Sequence, residues 1–173
     1  MIVLDKEYAF IDLAADVLGL SRTERGYMRK FARDFENDFS GKLWERIIAR
    51  IANIECTDVA YKDFCDGSEA KTASTREYIN YRGHSSICGQ ISNCEGKTGW
   101  IRVACYNNFK GDIDFFLIPP DHDCTFDSKM IRFNYNRTLD TYSNSLEQYR
   151  VASVYEACKK IEMGGLTFFR IAV

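Results

Sequence analysis

Residues Cys65–Thr75 read CDGSEAKTAST. The Asp-Gly pair at 66–67 is a turn signal, and the residues that follow it read as a strand. Side chains at i and i+2 of a strand share a face, so Glu69 and Lys71 stand side by side and Ala70 points the other way. The preceding stretch, Glu55–Phe64 (ECTDVAYKDF), also alternates, with Cys56, Asp58 and Ala60 set against Val59 and Tyr61. The two stretches together predict a β-hairpin turning at Asp66-Gly67. An acid and a base on one strand face are either a solvated surface pair or part of a metal site.

The chain upstream of the hairpin reads as helical. Glu7–Ser21 (EYAFIDLAADVLGLS) places Phe10, Leu13 and Val17 at helical spacing, with Gly19 as the stop. Ser21 and Glu24 form a capping box for a second helix. In that helix Tyr27, Met28, Phe31 and Phe35 gather on one side, and Arg22, Arg25, Arg29 and Arg33 on the other. An arginine stripe of this kind is ordinarily a solvated face; contact with phosphate is the alternative. Ser40–Asn53 (SGKLWERIIARIAN) is a third helix, with Leu43, Trp44, Ile47, Ile48 and Ile51 inward.

Downstream, a polar, Gly-dotted segment runs from about Arg76 to Lys97. Gly99–Asn108 and Asp112–Pro120 read as a hairpin around Lys110-Gly111, and Lys129–Tyr135 as a further strand. Ser145–Ile161 (SLEQYRVASVYEACKKI) has the spacing of a helix, with Leu146, Tyr149, Val154 and Cys158 on or near its inner side. Gly165–Val173 reads as a closing strand. The fold class expected from this order is α/β or α+β, with a mixed central β-sheet flanked by helices.

The 173 residues suit one domain, residues 1–173, with helical elements over 1–40 and the core over 41–173. Hydrophobic residues at 46% suffice for a sizeable core, and no segment has the composition of a disordered tract. A net charge of −2 argues against nonspecific nucleic-acid binding, though a site built from carboxylates would itself lower the total. The seven cysteines form no CxxC pair. The opening MIVLDKEYAF carries Asp5 and no long apolar run, so no signal peptide is expected, and no stretch of about 18 apolar residues marks a membrane span. The expectation is a cytoplasmic protein with reduced thiols and no membrane partner.

Phosphodiester hydrolysis needs a divalent cation and an activated water. Mg²⁺ takes oxygen ligands, commonly one or two carboxylates with waters and phosphate oxygens, and a nearby ammonium can orient the water and meet the growing negative charge. Glu69 and Lys71 supply one carboxylate and the ammonium. Asp58 on the preceding strand is the favoured second carboxylate and Asp63 the next; Asp66 suits the turn itself.

Asp58 followed eleven residues later by Glu69-Ala70-Lys71, with the Gly41–Glu45 helix (GKLWE) just upstream, resembles the PD-(D/E)XK nuclease superfamily and, within it, the type II restriction endonucleases. Thr57 stands where the family has a proline before its first acid. The resemblance runs from about Gly41 to the C-terminus. It implies a restriction-endonuclease-like αβββαβ core and a DNA endonuclease using Mg²⁺, with Mn²⁺ able to substitute. Catalytic residues would be Asp58, Glu69, Lys71 and Glu45, with Asp58 and Glu69 on the metal. Implied partners are double-stranded DNA, a homodimer mate or a larger recognition subunit, and a DNA methyltransferase. Two alternatives stand beside it. One is a catalytic small subunit of a heterodimeric restriction enzyme that cuts one strand. The other is a non-catalytic α/β binding module.

Arginine can bond a guanine edge twice, and Asn or Gln an adenine edge. Arg76, Asn80, Arg82, His84, Gln90 and Asn93 are therefore candidate DNA contacts, with Asn134, Asn136 and Arg137 as a second set. His84, Cys88 and Cys94 match no strong zinc spacing, and nothing marks one thiol as an activated nucleophile.

Overall fold

The computed structural model describes residues 5–34, 39–56 and 63–161. Helices α1 (Asp5–Leu18), α2 (Arg22–Asp34) and α3 (Phe39–Ala52) come first. Gly19 takes φ +67° and ends α1. The Ser21 hydroxyl accepts the Glu24 N–H (3.1 Å) and starts α2, as the capping box predicts. Helix α1 buries Phe10, Ile11, Ala14 and Ala15, and α3 buries Leu43, Trp44, Ile47 and Ile48. In α2 the buried line runs through Ala32 with Met28 beside it, while Tyr27 is 63% exposed. Two arginines of the stripe lean onto α1: Arg25 pairs with Asp12 and Asp16, and Arg29 pairs with Asp12 and stacks over Tyr8.

Two four-stranded sheets follow, giving an α+β fold. The first takes β1 (Glu69–Ser74), β4 (Ile101–Asn107), β5 (Asp112–Ile118) and β8 (Arg150–Val151) in the order β1-β4-β5-β8. It is mixed, because β1 runs parallel to β4 and the remaining pairs are antiparallel. The second takes β2 (Arg76–Ile79), β3 (Ser85–Ile91), β6 (Ile131–Asn136) and β7 (Thr141–Tyr142) in the order β2-β3-β6-β7. Helices α1 and α3 cover one face of the mixed sheet, where Trp44 meets Phe115 at 5.7 Å and Ala104 and Tyr106 join the cluster. The second sheet covers the other face, burying Ala73, Val103, Cys105, Phe116 and Ile118 against Ile91, Ile131, Phe133, Tyr135 and Tyr142. Strand β4 is buried at all seven residues, as expected of a strand covered on both faces. Gly89 allows the sheets to cross closely, since a Cβ there would lie 2.8 Å from the Ser74 carbonyl and 2.6 Å from Phe133.

Three expectations change. The ladder of β1 is with β4, far along the chain, and the other arm of the expected hairpin falls mostly at 57–62, outside the described residues. The polar 76–97 segment contains two strands, β2 and β3, whose exposed faces need no apolar alternation. Ser145–Ile161 is not one helix. It divides into a 3₁₀ turn (Glu147–Tyr149), β8, and a short α4 (Val154–Ala157) capped by Ser153. Arg150 sets the break, tied extended to Asp114, Asp140 and Glu147. Leu146, Val154 and Cys158 are nevertheless buried, as their spacing predicts. The proposed closing strand at 165–173 lies outside the described residues. All seven cysteines are unpaired. No helix among the described residues is long and apolar enough to cross a membrane.

Candidate active site

The loop that delivers Glu69 is held by a buried arginine. Arg102 on β4 has no exposed surface. Its guanidinium donates to Asp66 Oδ2 (3.0 Å), Ser68 Oγ (3.2 Å), and the carbonyls of Ala157 (2.9 Å) and Lys159 (2.8 Å). Asp66 Oδ1 in turn accepts the N–H and the hydroxyl of Ser68. Asp66 thus serves the turn, as its position before Gly67 suggests. Gly67 takes φ +82°, and a Cβ on Gly99 would lie 2.0 Å from the Gly67 carbonyl oxygen, so only glycine at 99 permits the two loops to touch.

Glu69 opens β1 with its side chain on the face toward the second sheet, 3% exposed. Asp63 reaches it from before the turn. Its Oδ2 accepts the Ala70 N–H (2.8 Å), and its carboxyl group is hydrogen-bonded to that of Glu69. Burial first, and then the hydrogen bond to Asp63 and its charge, raise the Glu69 carboxyl to about 7. Lys97 opposes this from the 92–99 loop, its ammonium 3.2 Å from Glu69 Oε1. Lys71 shares the Glu69 face and is half-buried; among the described residues its ammonium makes no ion pair. Lys71 and Lys97 both bear on Cys94, whose thiol burial nonetheless pushes up to about 11. A cleft of about 280 Å³ opens here, with Glu69, Lys97 and Gly99 in its wall.

Of the residues expected from sequence, Glu69 and Lys71 therefore lie together and Asp63 joins them. Asp58 lies outside the described residues; among those described, the carboxylate set against Glu69 is Asp63. Glu45, on α3, is bonded to Lys42 (3.3 Å). Burial raises the Cys56 thiol, and the charges of Glu45 and Asp63 add to that. Lys97 was not anticipated. A lysine between two glycines, 28 residues from its partner, leaves no periodic signal. Among the described residues no group of three His, Cys, Asp or Glu side chains is placed to hold an ion. Two carboxylates are within what Mg²⁺ uses, however, because phosphate and water complete its shell. The fit is chemical: two oxygen donors meet at a buried point with one carboxyl kept from ionising, and a divalent cation would relieve that cost.

The candidate DNA contacts occupy the second sheet and its turns. Asn80 is spent on its own turn, its Oδ1 accepting from the N–H groups of Arg82 (2.9 Å) and His84 (3.0 Å). Arg82 stacks on Tyr81 at 5.4 Å. Arg76, His84, Gln90 and Asn93 are exposed, Asn93 with φ +54° in the loop after β3. No family model matches the chain, nor does any curated protein or solved structure.

Proposed function

We propose that this protein is a Mg²⁺-dependent DNA endonuclease that hydrolyses phosphodiester bonds in the manner of the type II restriction enzymes. The observation that carries the reading is the Asp63–Glu69 pair: the Ala70 N–H holds the Asp63 carboxylate at the start of β1 beside the buried Glu69, with Lys71 two residues on along the same face. Asp63 and Glu69 would hold the cation, which when bound supplies Lewis-acid polarisation of the scissile phosphate. Lys71 donates to the attacking water and meets the charge that grows on the phosphate oxygens. Lys97 keeps Glu69 partly compensated when no cation is present. Double-stranded DNA is the substrate this reading takes. A homodimer mate or a recognition subunit would complete target reading, and a methyltransferase would protect the host.

The test is supercoiled plasmid incubated with the protein and Mg²⁺ or Mn²⁺, with EDTA as control. Discrete linear products support site-specific cleavage, and nicked circles a single-strand cutter. An unchanged plasmid at every metal concentration would return the protein to the binding-module alternative. Lys71→Ala should slow cleavage by roughly 10²–10³ while leaving DNA affinity unchanged, since one positioned electrostatic group contributes about that much. Cleavage by Lys71→Ala at the wild-type rate would remove Lys71 from the site.

A further inference from the structure

The register of the second sheet assembles residues from distant parts of the chain on its outer face. Ile87, Ile91, Ile131, Phe133 and Tyr135 point into the core or pack against it, so the residues between them point out. Three rows result. Gln90 lies beside Arg132. Arg76 lies beside Cys88, which lies beside Asn134. Tyr78 lies beside Ser86 at the same end of the sheet as Asn136 beside Thr141. Arg76, Gln90, Arg132, Asn134 and Asn136 are exposed, and Tyr78 is 58% exposed. No Asp or Glu occupies any position in these rows, although the chain as a whole carries a charge of −2. Arg132 pairs with Asp127 from the adjoining turn. Arg76, Tyr78, Gln90 and Asn134 make no side-chain hydrogen bond or ion pair among the described residues. Near one end of the rows a cavity of about 840 Å³ opens, with Arg76, Asn134, Arg137 and Phe109 in its wall together with Tyr135 and the Glu77 carboxylate, which is bonded to Ser85. The Arg137 guanidinium sits 5.7 Å over the Phe109 ring, which is 54% exposed.

We infer that this face binds single-stranded nucleic acid, with one splayed base taken into the cavity beside Phe109. The chemistry is that of a strand reader. Arg76, which makes no ion pair among the described residues, meets phosphate, an exposed tyrosine ring offers a stacking plane, and carboxamides meet base edges. Width decides against a duplex. Four strands at about 4.8 Å spacing span about 14 Å before side chains are counted, more than the major groove of about 12 Å admits. This surface is distinct from the Asp63–Glu69 pair and does not depend on the nuclease reading.

The experiment is fluorescence anisotropy with the full chain in EDTA, using one mixed-sequence 12-nucleotide probe as single-stranded DNA, as single-stranded RNA and as duplex DNA. The single strands should bind more tightly than the duplex, and the DNA and RNA arms report whether the 2′-hydroxyl is read. Tyr78→Ala should weaken single-strand binding by roughly tenfold, the loss of one stacked base. Arg76→Ala should flatten the plot of log K against log salt by about 0.7, the value for one phosphate contact on a single strand. Arg25→Ala, on the far helical layer, should bind like wild type. All of these positions are at least partly exposed, and a thermal melt of each variant checks its fold. Duplex binding as tight as single-strand binding, no binding to any probe, or wild-type affinity in both Tyr78→Ala and Arg76→Ala would overturn the inference.

Discussion

Replacing Glu69 with Gln should stabilise the protein at pH 8 and do little at pH 5. The Glu69 carboxyl titrates at about 7 instead of near 4.5, because it is buried and bonded to Asp63. A folded-state pKa above the unfolded one means that the native state holds an extra proton between those values. The stability linked to that proton is complete below pH 4.5 and is lost as pH rises through 7. One pH unit corresponds to ~1.4 kcal/mol, so the span from 4.5 to about 7 sets a ceiling near ~3 kcal/mol. Glutamine keeps the shape of the protonated acid and can donate to Asp63 as the acid does, yet never ionises. The difference in unfolding free energy between Glu69→Gln and wild type should therefore grow with pH, and groups common to both proteins cancel. Urea unfolding at half-unit steps from pH 5 to 8 measures it. Added Mg²⁺ should raise wild-type stability at pH 8 and leave Glu69→Gln unmoved, because the second oxygen donor is neutral. A pH-independent difference would mean that Glu69 ionises normally, and the reasoning from burial and Asp63 would fail.

Asp63→Asn should reduce the Mg²⁺ response and plasmid cleavage together while shrinking the pH dependence just described, since Asp63 supplies two of the causes that raise Glu69; comparison with Asp58→Asn in the same cleavage assay identifies the acid that matters. Arg102→Met should destabilise the fold by about 3–5 kcal/mol at neutral pH, because it leaves Asp66 and the Ala157 and Lys159 carbonyls without their donor. Urea unfolding reads that loss, and a variant within about 0.5 kcal/mol of wild type would show that these groups find other partners.

Local signals carried far in this chain. Helical spacing located α1 and α3 and the buried Leu43, Trp44, Ile47 and Ile48 of α3, though in α1 it found only Phe10 of the four buried residues; Ser21 and Gly19 marked helix ends, and Lys110-Gly111 located the β4–β5 turn. These features depend on neighbours within a few residues, whose preferences are written in the side chains themselves. The i, i+2 spacing of Glu69 and Lys71 likewise put them on one face once β1 existed. What was not legible is what distant segments decide. The parallel partner of β1 is β4, set by which apolar edge remains free after the chain has folded back, and no turn connects them to announce it. Arg150 reads as a helix residue until Asp114 and Asp140, brought from two other elements, pull its backbone straight. Lys97 approaches Glu69 because Gly67 and Gly99 let two loops touch. The outer face of the second sheet gathers Arg76, Gln90 and Asn134 through strand register, which fixes side-chain neighbours only when β3 pairs with β6. Sequence alone determined the three N-terminal helices, the β4–β5 hairpin and β6, and where the E-x-K acid and base lie. Tertiary structure alone decided that Lys97 is the second ammonium beside Glu69, since convergence from 28 residues away is a property of packing and not of local preference.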